Sequence, residues 1–393
     1  MKKHLLSAVG VIVMGASLMG PTYVGANNVT NNSTQQSYSV SGFINHAELG
    51  KRLQQIEHSS KGTVKVEVAG HSNRGLEIYK ATVGTGKKIV LIQTEIHGNE
   101  KTGTEALLNI LQNLSTNSPE AKKMREEMTL VVLPMMNPDA SELNRRGNDL
   151  SWQEVTQAFP QLKDAQPSWN YYTYTNQYFN YTNQPGFDVN RDFNPDLDYV
   201  PASKDFPGNS GNPGWFITPE AQTVRDVYKG LKEKHGNVDV FVDMHHQGTY
   251  YVEGTDDVVT MSLSGKFVDI NKSRYEEYQS NYNLEFSKQL NLAAYNALQA
   301  VGNSPFNNIT LYDQNIDLPG TALGTFALNG SGTVLFEVRG QTHTFGQKKK
   351  GQLVKAVETG LYGILHGVTD ESVYKLNSDQ YDDIPKTAYQ PGL

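Results

Sequence analysis

Apolar residues fall along this chain in two rhythms. Residues 88–92, 128–133, 238–242 and 333–338 are near-continuous apolar runs, the pattern of strands buried on both faces. Residues 64–68 alternate and predict a strand, residues 70–75 a turn, and residues 76–83 a second strand. Helical spacing marks residues 46–57, where Leu49, Leu53 and Ile56 share a face, and residues 104–114, 218–234, 282–301 and 350–366. Pro219 and Glu220 stand in the first turn of the third of these, where a missing N–H and a negative charge are both favoured. Strand, helix, strand over residues 88–133 is a βαβ unit. The expected fold is α/β: a single domain with a mixed, mostly parallel sheet and helices on both faces.

The ends of the chain read differently. Lys2, Lys3 and His4 precede an apolar run over residues 5–18, and Val24, Gly25 and Ala26 form a small-residue cleavage site. Residues 1–26 therefore predict a secretory signal peptide, a secreted, bacterial product and no stable membrane insertion. A membrane anchor is the competing reading, but the run falls short of the ~20 residues a span needs. Residues 27–41 are polar and low in complexity, a flexible leader. The expected catalytic domain is 42–369, followed by a loosely held polar tail, 370–393. Residues 168–186 are rich in Tyr, Asn and Thr with neither rhythm. They read either as the aromatic wall of a cleft or as a surface insertion packed on itself.

Composition narrows the chemistry. The 393 residues are 37% hydrophobic and 19% charged, a globular balance. No cysteine is present, which excludes disulfides, thiolate ligands and a thiol nucleophile, so a transition metal would need His, Asp or Glu. The formal charge of -7 offers no basic footprint for nucleic acid.

Against that background, four clusters stand out. His97 and Glu100 follow the 88–92 strand, three apart on a turn opening a helix, and can point at one spot. His245 and His246 follow the 238–242 strand. Carboxyl ends of parallel strands face a common crevice. Two imidazoles and one carboxylate there would leave one tetrahedral position open, the arrangement of catalytic zinc. On an extended segment His246 points away from His245, so only one of the two joins His97 and Glu100. Glu337 and Arg339 share a face at the end of an apolar strand. They are either an ion pair or, for Glu337, a general base beside the metal. Asn190 and Arg191 carry planar donors able to clamp a carboxylate, and Arg146 adds a guanidinium.

Taken in order, these clusters resemble the zinc carboxypeptidases of the carboxypeptidase A type. The markers are the Gly70 to Gly75 turn, His97 with Glu100, and the Asn137-Pro138-Asp139 turn. They continue with Asp188-Val189-Asn190-Arg191, Pro219-Glu220, Asp243-Met244-His245 and Phe336-Glu337-Val338-Arg339. The resemblance implies one Zn2+ held by His97, Glu100 and His245, with Glu337 as general base. It implies that Arg146, favoured over Arg145 by an Arg-x-Asn pattern, stabilises the oxyanion. Asn190 and Arg191 would bind the substrate's terminal carboxylate, and Asp188 would hydrogen-bond a ligand histidine. The implied activity is metallocarboxypeptidase hydrolysis of C-terminal peptide bonds, by a monomer whose partner is a peptide with a free C-terminal carboxylate. Alternatives are an amidase of bacterial cell-wall peptides, an N-acyl amino acid deacylase, and an inactive binding protein. The sequence departs from the family where a mobile Tyr is usual: Pro319 stands there, and Tyr312 is the nearest tyrosine. Phe326 falls near the expected floor of the specificity pocket. No segment of propeptide size precedes the domain, so no zymogen is expected.

Overall fold

The structure is a computed structural model describing residues 42–171, 184–302, 307–340 and 346–392. The signal-peptide and leader readings, and most of the 168–186 insertion, lie outside the described residues. The strands are β1 (Val64–His71), β2 (Glu77–Val83), β3 (Lys88–Thr94), β4 (Met128–Leu133), β5 (Val240–Gln247), β6 (Tyr251–Val252), β7 (Met261–Ser264), β8 (Ile309–Leu311), β9 (Gly332–Arg339) and β10 (Thr387–Ala388). The helices are α1 (His46–Ser59), α2 (Thr102–Leu114), α3 (Pro119–Glu127), α4 (Pro138–Leu143), α5 (Trp152–Ala158), α6 (Pro219–His235), α7 (Leu284–Ala300), α8 (Ala322–Leu328) and α9 (Gly346–Thr369).

Eight strands form one sheet in the order β1-β2-β4-β3-β5-β9-β7-β8. The four central strands, β4, β3, β5 and β9, run parallel, and antiparallel pairings flank them. The apolar runs of the sequence are these central strands, buried on both sides as their composition requires. Alternation splits their side chains between two cores. Val90, Ile92, Val240, Val242 and Phe336 pack in one with residues of α1, α2, α7 and α9. Ile89, Leu91, Phe241 and Leu335 pack in the other with residues of α6 and α8. Phe326, the expected pocket floor, lies in this second core. Its ring stacks on Tyr228 with centroids 4.0 Å apart and meets Phe241 and Phe193 edge-on, so it is a packing residue.

Three of the sequence markers meet around two buried carboxylates. The Asp139 carboxylate accepts from Ser72 Oγ at 2.7 Å and from Arg74 N at 2.9 Å. The Glu220 carboxylate accepts from Asn73 N at 3.2 Å and from Asn148 Nδ2 at 2.9 Å. The turn, the Asn-Pro-Asp segment and the α6 start are therefore one hydrogen-bonded frame. Burial pushes the Glu220 carboxyl up to about 7 from 4.5. A carboxyl raised in the folded state binds its proton more tightly there than in the unfolded chain. Stability is then lost as pH rises from 4.5 toward 7, by about 2–4 kcal/mol in all. Glu220→Gln is expected to be more stable than the parent above pH 7, with the gap closing by about pH 5. Urea melts of both proteins across that range measure it.

The segment from Asp370 is packed, which corrects the expectation of a loosely held tail. Tyr381 is fully buried, and its hydroxyl accepts from Gly265 N at 3.0 Å and donates to Gln314 Oε1 at 2.9 Å. Strand β10 pairs antiparallel with β6, and Leu311 N donates to Pro385 O at 2.7 Å. Polar composition concealed a few deeply seated apolar anchors, Val373, Tyr381 and Ile384.

Candidate metal centre

The loop after β3 carries His97 and Glu100, and its path is tightly constrained. Asn137 Nδ2 donates to Ile96 O at 2.9 Å, while Asn137 Oδ1 accepts from Ala140 N and caps α4. At Gly98 the backbone runs against α4 so closely that a Cβ would fall 1.9 Å from the carbonyl carbon of Ala140. Only glycine fits between the two chemical residues. Glu95 opens the loop in a left-handed conformation, φ 57°, unusual for a non-glycine residue.

His245 comes from the neighbouring strand. Its Nδ1 lies 3.1 Å from His97 Nδ1 and 2.9 Å from Glu100 Oε2, and His97 Nδ1 lies 3.0 Å from the same oxygen. Among the described residues these three form the one His/Asp/Glu group close enough to share an ion. Both rings are nearly sealed from solvent, at 2% and 4% exposure. Their far nitrogens face acids. His97 Nε2 donates to Asp188 Oδ1 at 3.1 Å, and His245 Nε2 lies 3.1 Å from Asp243 Oδ2. A hydrogen on His97 Nε2, held by Asp188, leaves its Nδ1 lone pair aimed at the point where a Glu100 oxygen and His245 Nδ1 also meet. Tetrahedral ligands ~2.0–2.1 Å from zinc stand about 3.4 Å apart, so the triangle needs only slight expansion to accept the ion. The donor set therefore fits Zn2+.

The metal-free centre is one that stabilises positive charge. Burial raises the Glu100 carboxyl, but the His97 and His245 imidazoles outweigh it and hold the group well below the ordinary range. Burial lowers His245, yet Asp243 and Glu100 outweigh that and raise it well above the ordinary value. In Asp188 burial is overcome first by Arg146, then by His97 and Arg191, and the carboxylate stays ionised. Asp243, to which the sequence assigns no separate role, lies beside His245 as a charge, whereas Asp188 is hydrogen-bonded to His97. The signal was available: residues two apart on a strand share a face. Asp243→Asn is expected to weaken zinc binding by about 10–100-fold, the usual effect of losing an acid behind a ligating imidazole. A chelator competition titration reads it directly.

The remaining candidates fall around this triangle. Glu337 stands opposite His245 on the adjacent parallel strand, on the same face. Burial, assisted by the nearby Glu100 and Asp243 charges and opposed by His245 and Arg146, pushes it up to about 8. Arg146 Nε donates to Asp188 Oδ2 at 2.8 Å, and its Nη1 lies 3.9 Å from Glu100 Oε1. Arg145 turns the other way and holds Gly147 O and Pro185 O, a loop-bracing role. Asn190 Nδ2 lies 3.3 Å from His245 Nε2, and Asn190 Oδ1 accepts from Ala322 N at 3.1 Å. Arg191 is buried next to it, and its Nη1 donates to Asn190 O at 2.6 Å. His246 faces the opposite side of the sheet, where its Nε2 accepts from Thr102 N at 3.1 Å. Burial pushes that ring down to about 4. Tyr312 is buried in the α6/α8 core and is no lid residue. A groove of about 770 Å³ between α3, α7 and α9 contains none of these side chains.

Comparison with known proteins bears on this arrangement. The family described as zinc carboxypeptidase matches residues 50–353. Probable carboxypeptidase 2 of Trichophyton verrucosum is 42% identical over 50 residues, which is 13% of this chain and 10% of that protein. Matches to the curated relatives thus span about a tenth of their length. Carboxypeptidase A of Helicoverpa armigera superposes with TM-score 0.54 and 16% identity, covering 86% of this chain and 77% of that one. A metallo-carboxypeptidase of Burkholderia cenocepacia gives TM-score 0.51 and 15% identity, covering 83% and 69%. At those identities the likeness is one of fold. Among the described residues, no helix is long and apolar enough to cross a membrane.

Proposed function

As this chain belongs to the zinc carboxypeptidase family, we propose that it is a zinc metallocarboxypeptidase that removes residues from the C-terminus of peptides. One observation carries the reading: two imidazole Nδ1 atoms and a carboxylate oxygen converge within 3.1 Å of one another, with Glu337 on the next strand facing them. His97, Glu100 and His245 are the zinc ligands. Zinc bound there supplies Lewis acidity and lowers the pKa of water.

The chain's own groups perform the rest. Glu337 takes a proton from the attacking water and delivers it to the leaving amine, which departs neutral. Arg146, fixed by its 2.8 Å bond to Asp188, presents its guanidinium to the carbonyl oxygen as negative charge develops. Asp188 holds the His97 ring in the tautomer that frees Nδ1, and the Asp243 carboxylate beside His245 favours positive charge at the centre. Arg191, with Asn190, receives the terminal carboxylate and so restricts cleavage to chain ends. Export directed by residues 1–26 belongs to the same reading.

The test compares peptides with free and amidated C-termini on the zinc-loaded protein. Free acids are expected to be cleaved with kcat/KM higher by about 10–100-fold, the worth of a charged hydrogen-bonded pair, and Arg191→Ala to erase most of that difference. Equal cleavage of both by the parent would remove the exopeptidase claim.

A further inference from the structure

Helix α2 begins two residues after Glu100, and its start lacks a cap of its own. Lys101 occupies the N-cap position and makes no side-chain cap bond. Its ammonium is engaged elsewhere, donating to Ser141 O at 2.9 Å and lying 3.6 Å from Glu95 Oε2. Helices α3, α6 and α8 are capped locally by Ser118, Thr218 and Thr321. For α2 the acceptor arrives from a strand 144 residues away: His246 Nε2 takes the Thr102 N–H at 3.1 Å.

We infer that His246 is a positioning residue for the metal centre, fastening the loop that carries His97 and Glu100 to the strand that carries His245. The inference rests on reading those three residues as ligands. The strand's alternation sends His245 to the ligand face and His246 to the α2 face, so one backbone segment serves both. The first turn of α2 is flush with the sheet: a Cβ at Gly103 would lie 2.3 Å from Thr94 Oγ1 and 3.0 Å from Met244 Cε. A ring reaching up from β5 can therefore act as a cap without bending the helix. Glu100 sits two residues before the capped N–H, and His245 one residue before the capping ring. The β3–β5 ladder sets the spacing as far as Thr94 and Met244, and this hydrogen bond ties the two halves of the ligand set together beyond its end. Nε2 accepts here, so Nδ1 carries the ring hydrogen and the imidazole is neutral.

The experiment measures zinc affinity by chelator competition, and the melting temperature of the metal-free protein, in five variants. His246→Ala is expected to bind zinc about 3–30-fold more weakly, the factor that corresponds to losing a helix cap. His246→Gln, whose Oε1 can take the Nε2 position, is expected to return within about twofold of the parent. His246→Leu keeps volume without an acceptor and serves if the alanine variant does not fold. Ser118→Ala removes a cap at α3 and is expected to lower the metal-free melting temperature without moving zinc affinity. Glu100→Ala reports on the centre itself. Unchanged affinity in the Ala and Leu variants, or equal losses in Gln and Leu, would overturn the inference. So would a zinc loss in Ser118→Ala as large as in His246→Ala. Unchanged affinity in Glu100→Ala would instead sink the ligand assignment on which the inference stands.

Discussion

Glu337→Gln is expected to retain one zinc per chain and to lose turnover by about 10²–10⁴-fold, the range of general acid–base catalysis. The substitution keeps the shape and removes only the ability to accept a proton. Glu337 is well placed for that task. It is half-buried, pushed up to about 8, and paired in register with His245. A cation at the neighbouring centre favours the ionised form, bringing the group toward the neutral range where a base is most effective. Metal content by elemental analysis, measured with single-turnover rates on the same sample, separates binding from chemistry. A Gln variant with parental kcat would eliminate Glu337 as the base.

Glu100→Ala should act one step earlier, on the metal. Binding free energies of about 10–16 kcal/mol for tetrahedral protein sites divide into roughly 3–4 kcal/mol per ligand, so affinity is expected to fall by about 10²–10³-fold. Further consequences follow from the charges. Glu100 is the carboxylate between two imidazoles, with Nδ1 atoms 3.0 and 2.9 Å from its Oε2. Without it the cation loses its one anionic ligand. The chelator concentration that strips half the zinc should drop accordingly, and added zinc should restore part of the activity. Parental affinity in this variant would mean that the ion sits elsewhere.

Much of this was legible because the relevant signals are periodic or local. Continuous apolar runs of five or six residues, rich in Val and Ile, fit central strands, and β3, β4, β5 and β9 lie close to where composition placed them. His97 with Glu100, His245 and Glu337 sit at the carboxyl ends of three neighbouring parallel strands, which strand order alone brings together. Strand period also separated His245 from His246. The reading stopped where side chains from unrelated segments meet. Nothing local to Asp188 announces its bond to His97, 91 residues away. Phe326 looked like a pocket residue because linear distance from Glu337 says nothing of which core α8 faces. Strands β7 and β8 are only four and three residues long, too short for a period to register. The packed tail was missed because sparse anchors such as Tyr381 do not change a segment's average polarity.

That tail bears on the solubility of the whole protein. Strand β8 is the last of the sheet, and such a border exposes unpaired N–H and C=O groups that recruit foreign strands. Pro385 and Lys386 run along it, taking the Leu311 N–H and forming a parallel bridge. The final two dozen residues thus act as a built-in guard against aggregation. A chain cut before them would keep every catalytic group yet offer a bare template for β-stacking.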